Sequence, residues 1–169
     1  KTTYIDDEIV VNESSPEILR KRLYVDRLER LKVFDVFISH NSKDESDIVS
    51  FFKFLNEKGY VAYIDWVNDK FDLKREWCNA STAEIIKERI KQSRVFVLYF
   101  SAKTLESQWC PWELGYADAL GKKICVYKSS ESTAYIPEFY SAYPTLVLDT
   151  QAIIKVNGED IPFDKWIQQ

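Results

Sequence analysis

The most apolar run in the chain, residues 95–100 (Val-Phe-Val-Leu-Tyr-Phe), constrains the fold more than any other stretch. A strand that is apolar along its whole length is buried on both faces, as in the centre of a parallel sheet. Runs rich in β-branched and aromatic residues predict four further strands, at residues 33–39, 60–64, 123–127 and 145–148. Apolar residues at helical spacing predict helices at residues 44–58, 81–92, 109–120 and 162–169.

This alternation of strands and helices predicts a doubly wound α/β fold. We expect a flavodoxin-like five-stranded parallel sheet of order 2-1-3-4-5, with helices on both faces. In that order the switch point lies between the first and third strands, where such folds bind ligands. The loop at residues 39–41 then lies beside the loop at residues 101–113, so His40, Cys110 and Glu113 are expected to share a pocket.

The length of 169 residues suits one domain with an appended arm. Residues 33–169 form the predicted domain. Residues 1–32 are predicted to be a helical arm or linker, because Ser-Ser-Pro-Glu at residues 14–17 is typical of a helix start. The chain begins with Lys1 and contains no methionine, so we expect it to be part of a longer protein whose other domains are missing here.

Composition argues against several classes of partner. The net charge of −4 and the scattered basic residues do not suit nucleic acid or an anionic membrane surface. No stretch reaches the roughly 18 apolar residues that a membrane span needs. Three cysteines without a CxxC pair, together with one histidine, predict reduced thiols, no metal site and a cytoplasmic location.

The stretch from Ser107 to Ala117 follows the apolar strand and contains two tryptophans, a cysteine and a glutamate. Open α/β sheets usually present their chemistry where a strand ends and the next helix begins. Glu113 is therefore a candidate catalytic carboxylate, although a glutamate that only stabilises the helix end also fits the pattern. Trp109 lies one turn earlier on the same helix face and is a candidate stacking wall, whereas Trp112 is predicted to pack.

Three segments, in this order, resemble the Toll/interleukin receptor (TIR) domain family. Residues 34–40 (Phe-Asp-Val-Phe-Ile-Ser-His) resemble its first strand, and the loop after the second strand, with Asp65, Leu73 and Arg75, resembles its BB loop. Residues 107–114 resemble its third box, including the Trp-x-x-x-Glu spacing of Trp109 and Glu113. Many members carry a glycine where this BB loop reads Arg-Glu-Trp, at residues 75–77.

The resemblance implies an NAD⁺ glycohydrolase or cyclase that cleaves the nicotinamide–ribose bond with Glu113, in innate-immune or anti-phage signalling. NAD⁺ is then a substrate, and no cofactor is implied. The residues implied to contact NAD⁺ are Trp109, Ser39, His40, Asn41, Asp65, Trp66 and Arg75. Other TIR domains are implied as partners, with self-association through the loop at residues 65–79. A non-catalytic adaptor that acts only by such self-association is the alternative.

The chemistry of NAD⁺ suits a site with a single carboxylate. Hydrolysis of an O-glycoside normally takes two carboxylates, because one must protonate the leaving oxygen. Nicotinamide is already cationic in NAD⁺ and leaves as a neutral molecule, so one carboxylate facing the developing oxocarbenium charge can be enough. Whether water or adenine then attacks, giving ADP-ribose or a cyclic product, stays open.

Two rival functions use other residues. Cys110 near a helix N-terminus, with His40 as base, would form a thiol nucleophile. A response-regulator receiver needs an aspartate at the end of the third strand, and that strand ends Tyr-Phe-Ser at residues 99–101.

Overall fold

The computed structural model describes residues 33–64, 80–129 and 132–169. Its strands are β1 (Phe34–Ser39), β2 (Ala62–Tyr63), β3 (Ser93–Phe100), β4 (Lys123–Lys128), β5 (Thr145–Leu148), β6 (Ala152–Val156) and β7 (Glu159–Pro162). Its α-helices are α1 (Glu45–Glu57), α2 (Ala80–Gln92), α3 (Trp109–Ala119), α4 (Glu138–Ser141) and α5 (Phe163–Gln168). Short 3-10 helices, Ser42–Asp44 and Ala102–Glu106, follow β1 and β3. The predicted arm at residues 1–32 lies outside the described residues.

The strands form one sheet of order β2-β1-β3-β4-β5-β6-β7. The first five are parallel and have the predicted 2-1-3-4-5 order, which confirms the flavodoxin-like fold. The predicted number of five strands is wrong, because β6 and β7 extend the sheet by antiparallel pairing. Residues 129–143, where no helix or strand was predicted, contain the short helix α4.

A two-residue turn at Asn157 and Gly158 joins β6 to β7. Both residues have positive φ, at 52° and 81°. Positive φ at both central positions is the requirement of a type I′ turn, whose twist matches that of the flanking strands. The Asn-Gly pair was therefore a sequence signal for this hairpin, and our strand prediction missed it.

Two apolar layers cover the sheet because side chains alternate along its strands. On β3, Phe96, Leu98 and Phe100 point to the face covered by α2 and α3, where Ile86 and Leu114 are buried. The intervening residues of β3 pack against α1 and α5 on the opposite face, in a cluster that includes Val95, Val97, Tyr99, Ile48 and Trp166. Burial on both faces explains why the sequence of this strand is apolar throughout.

Strand register brings the carboxyl ends of β1 and β3 together. Ser39, the last residue of β1, pairs with Leu98 of β3, and Ser101 comes directly after that strand. The loop that follows β3 leads to α3, which carries Glu113. The fold thus creates the predicted switch point at which the candidate site lies. None of the helices in the described part of the chain is both long and apolar enough to cross a bilayer.

Candidate active site

Glu113 occupies a position on α3 that normally holds an apolar residue. It is 3% exposed, and the other buried residues of α3 are Cys110, Leu114 and Ala117. This spacing defines the core-facing stripe of an amphipathic helix. Because burying a carboxylate is costly unless it is hydrogen-bonded, Glu113 needs polar partners inside the protein.

Ser39 supplies such a partner from the end of β1. Its Oγ donates a hydrogen bond of 2.5 Å to Oε2 of Glu113, and Ser39 itself is 1% exposed. Hydrogen bonds to an ionised acceptor are shorter and stronger than those between neutral groups. The sequence predicted that Ser39 would contact substrate, whereas in this structure its hydroxyl holds the candidate catalytic carboxylate.

Tyr140 adds a buried phenol to this side of the sheet, and the sequence analysis missed it. Its ring lies edge-on to Phe100, with a centroid separation of 5.9 Å, in the same apolar cluster as Cys110 and Leu114. Burial raises the pKa of Tyr140 to about 12, and the nearby Cys110 and Glu113 add to that increase. The phenol is therefore neutral at physiological pH. Pro137 followed by Glu138 was the available signal for the short helix that carries it.

His40 and Asn41 follow Ser39 and are buried, at 1% and 6% exposure. His40 Nδ1 lies 3.4 Å from the carbonyl oxygen of Ile38, so this histidine is not part of an exposed turn. The Asn41 amide donates to the carbonyl of Lys103 at 2.6 Å, and its Oδ1 accepts from the backbone N–H of Lys43 at 3.0 Å. The Asn41 side chain therefore joins the loop after β1 to the loop after β3.

The two tryptophans of α3 have different environments. Trp109 is half-buried and packs against the core cluster that includes Leu114, whereas Trp112 is 37% exposed. Their rings meet edge to face, with centroids 5.3 Å apart, and Trp112 stacks on Tyr116 at 6.1 Å. Trp112 therefore packs against its neighbours on α3, as predicted, but it does so at the surface rather than in the core.

A cavity of about 310 Å³ lies beside Trp109. The loops after β1 and β3 form its walls, with Asn41, Lys43, Ser107 and Gln108 among the lining residues. Polar residues from both loops thus line the same cavity as an aromatic side chain, and Glu113 is not among the lining residues. This combination suits a ligand that has both a flat ring and polar substituents.

Three predicted contacts, Asp65, Trp66 and Arg75, lie outside the described residues. The rival nucleophile Cys110 is fully buried within the core cluster, and its backbone N–H donates to Ser107 Oγ at 3.2 Å near the start of α3. The Cys110 side chain therefore packs in the core in this structure. Among the described residues, no group of three or more His, Cys, Asp and Glu side chains is arranged to hold a metal ion.

Comparisons with known proteins agree with the fold and with the resemblance to TIR domains. A family model described as "TIR domain" matches residues 36–152. A Bacillus cereus (strain MSX-D12) protein named "Probable 3' cyclic ADP-D-ribose synthase ThsB'" is 31% identical over 153 residues, which cover 83% of this chain and 79% of that protein. A Cytobacillus dafuensis protein, TIR2, provisionally named a cyclic ADP-D-ribose synthase, is 39% identical over 119 residues. That match covers 70% of this chain and 31% of TIR2, so it concerns about a third of that protein.

Among solved structures, the TIR domain of the Toll-related receptor TRR-2 from Hydra magnipapillata has a TM-score of 0.52 at 18% identity. The match covers 67% of this chain and 84% of the receptor domain. At this level of identity the likeness concerns the fold alone.

Proposed function

The chain belongs to the TIR domain family, and on that basis we propose that it is an enzyme that cleaves the nicotinamide–ribose bond of NAD⁺ and forms a cyclic ADP-ribose product in anti-phage or other innate-immune signalling. Glu113 is the catalytic carboxylate in this proposal. The names of the two bacterial relatives support cyclisation as the outcome.

One observation carries the proposal: a buried carboxylate that a serine hydroxyl holds at the carboxyl edge of a parallel sheet. Glu113 replaces an apolar residue in the core-facing stripe of α3, and Ser39 of β1 donates to it. Apolar packing at this position would be more favourable for stability alone. Residues that break a local rule in this way are expected at functional sites.

The proposed reaction starts with departure of nicotinamide. The bond between ribose C1′ and the pyridinium nitrogen breaks, and its electron pair stays on nitrogen, so nicotinamide leaves as a neutral molecule without a proton donor. The Glu113 carboxylate stabilises the oxocarbenium charge that develops on the ribose. Such stabilisation is strong where water is excluded and the charged group is already oriented.

A nucleophile then attacks C1′ and determines the product. Water would give ADP-ribose, whereas a nucleophilic atom of the same ADP-ribosyl group would give a cyclic product. The proton that an attacking water or hydroxyl loses passes to the Glu113 carboxylate or to solvent. We propose that Trp109 stacks on a ring of the bound nucleotide, because its half-buried indole lines the cavity of about 310 Å³. Stacking that holds the base near C1′ would favour intramolecular attack over attack by water, because the reacting atoms are already in place.

The loop residues supply the remaining proposed contacts. His40 and Asn41 are buried in the loop after β1, and Asn41 lines the cavity beside Trp109, so both remain proposed contacts to NAD⁺. Asp65, Trp66 and Arg75 remain predicted contacts to NAD⁺, with Arg75 directed towards the pyrophosphate. Self-association with other TIR domains through residues 65–79 also remains a proposal.

Access to Glu113 sets a condition on the assay. Because this residue is only 3% exposed, NAD⁺ contacts it only after neighbouring side chains move. Catalytic geometry often forms fully only in the complex with substrate. We therefore expect turnover to rise with protein concentration if assembly favours the open arrangement.

The experiment measures release of nicotinamide and formation of nucleotide products by liquid chromatography, over a range of protein concentrations. Glu113→Gln keeps the shape of the side chain and removes its charge, so turnover should fall on the order of 100-fold or more. Glu57→Gln, an exposed glutamate on α1, is the matched control and should retain wild-type activity. Circular dichroism checks that both variants fold.

Two results would contradict the proposal. Wild-type turnover in Glu113→Gln would remove this carboxylate from the mechanism. Absence of nicotinamide release by the wild-type protein at every concentration would favour the non-catalytic adaptor.

A further inference from the structure

We propose that Lys103 is a positioning residue that joins the loops after β1 and β3 and so keeps Ser39 and Glu113 within hydrogen-bonding distance. This inference rests on the proposed NAD⁺ cleavage. The residues that form the connection are referred to as the loop clasp: Asn41, Lys43, Asp44, Ser101 and Lys103.

Lys103 contacts the loop after β1 at three points. Its carbonyl oxygen accepts from Asn41 Nδ2 at 2.6 Å. Its Nζ donates to the carbonyl oxygen of Lys43 at 2.6 Å, and the same Nζ lies 3.2 Å from Oδ1 of Asp44. One residue in the loop after β3 therefore contacts three residues of the loop after β1.

Asp44 gives the loop clasp its electrostatic importance. It is 1% exposed, whereas the side chain of Lys103 is 45% exposed. Ser101 Oγ donates to Oδ2 of Asp44 at 2.7 Å and accepts from the backbone N–H of Lys103 at 3.1 Å. Because a buried carboxylate is strongly disfavoured without a compensating cation, loss of the Lys103 ammonium should displace one or both loops.

The two loops connect directly to the elements that carry the candidate catalytic residues. Ser39 begins the segment that reaches Asp44, and the segment containing Lys103 leads to Trp109 and then Glu113. A displacement of about 1 Å in either segment is enough to disturb a hydrogen bond and the alignment of reacting groups. Lys103 thus acts on catalysis through the two loops rather than through contact with substrate.

The test compares Lys103→Met, Lys103→Arg and the double variant Asp44→Asn/Lys103→Met with the wild-type protein in the NAD⁺ assay. We expect Lys103→Met to lower kcat by about 10-fold while KM stays within about 3-fold. Lys103→Arg retains the cation and should recover most of the activity. The double variant removes the uncompensated buried charge and should be more active than Lys103→Met. Lys128→Met, an exposed lysine at the end of β4, is the control and should match the wild-type protein.

Amide hydrogen exchange provides a readout that does not depend on activity. Lys103→Met should speed exchange in residues 40–44 and 101–108, and exchange in β4 should stay unchanged. Unchanged exchange in both loops would overturn the loop clasp, even if the protein does not cleave NAD⁺. If the wild-type protein releases no nicotinamide but Lys103→Met still speeds exchange in both loops, the loop clasp is supported and the proposed function is rejected.

Kinetic outcomes separate positioning from other roles. A rise in KM with unchanged kcat would make Lys103 a substrate contact and overturn the proposal. The proposal would also be overturned if Lys103→Met lowers kcat and neither Lys103→Arg nor the double variant restores it. A purely structural role of Lys103 predicts that pattern.

Discussion

Replacement of Ser39 by alanine tests the hydrogen bond on which the candidate site depends. The change removes the Oγ that donates to Glu113 Oε2 at 2.5 Å and leaves the backbone of β1 intact. Both residues are at most 3% exposed, so water does not readily replace the lost hydroxyl. The Glu113 carboxylate should then adopt other orientations and contact the ribose less often.

The size of the effect follows from the energy of a hydrogen bond to a charged group. Such a bond contributes about 1.5–3 kcal/mol. Each 1.36 kcal/mol changes a rate by a factor of ten, so kcat should fall by about 10- to 150-fold. The free energy of unfolding should fall by about 1–3 kcal/mol, because a buried acceptor loses its donor.

Steady-state kinetics of nicotinamide release distinguish two roles of Ser39. A serine that orients Glu113 affects kcat and leaves KM within about 3-fold, whereas a serine that binds ribose in the ground state mainly affects KM. Ser50→Ala, an exposed serine on α1, is the control. In the Glu113→Gln background, Ser39→Ala should change the residual rate by no more than about 2-fold, since residues that act together are not additive. A kcat within 2-fold of wild type in the single variant would refute the reasoning.

Two further predictions concern the aromatic residues near Glu113. Trp109→Ala should raise KM by about 5- to 150-fold, because stacking on a base is worth roughly 1–3 kcal/mol. Trp112→Ala removes a ring at the surface and should leave KM within 2-fold. Equal changes of KM in the two variants would contradict the proposed stacking. Because the folded-state pKa of Tyr140 is raised to about 12, the unfolded chain releases this proton near pH 10 while the folded protein keeps it. The free energy of unfolding, measured in urea, should therefore decrease as the pH rises from about 10 to about 12. The decrease should be less steep in Tyr140→Phe than in the wild-type protein. An equal dependence on pH in the two proteins would count against the buried phenol.

Local sequence patterns were sufficient for most of the sheet. Residues 95–100 are apolar on both faces, and this pattern placed β3 at the centre because only a strand covered on two sides has such composition. The hairpin of β6 and β7 was missed although Asn157 and Gly158 signalled its turn. Its strands are short and carry charged residues and a proline, so their alternation is weak even though the turn chemistry is distinct.

The sequence by itself determined the alternation of strands and helices, the faces that are buried and the presence of a glutamate after the central strand. These properties depend on neighbouring residues at periods of two and 3.6, which a linear pattern records directly. It did not determine which hydroxyl would meet that glutamate. Ser39 and Glu113 are 74 positions apart, and only the register of β1 against β3 and the packing of α3 bring them together.

The same limit applies to the tryptophans and to the loop clasp. Trp109 and Trp112 are near neighbours on one helix. Their spacing favoured Trp109 for the site, but it did not reveal that the ring of Trp112 is exposed whereas that of Trp109 is half-buried. That difference arises from how α3 is rotated against the sheet. The contacts of Lys103 with Asp44 and Asn41 likewise depend on two loops that tertiary packing places side by side. The sequence therefore supplied the groups for the candidate chemistry, and tertiary packing decided which of them meet, because contacts between distant segments leave no periodic trace in the chain.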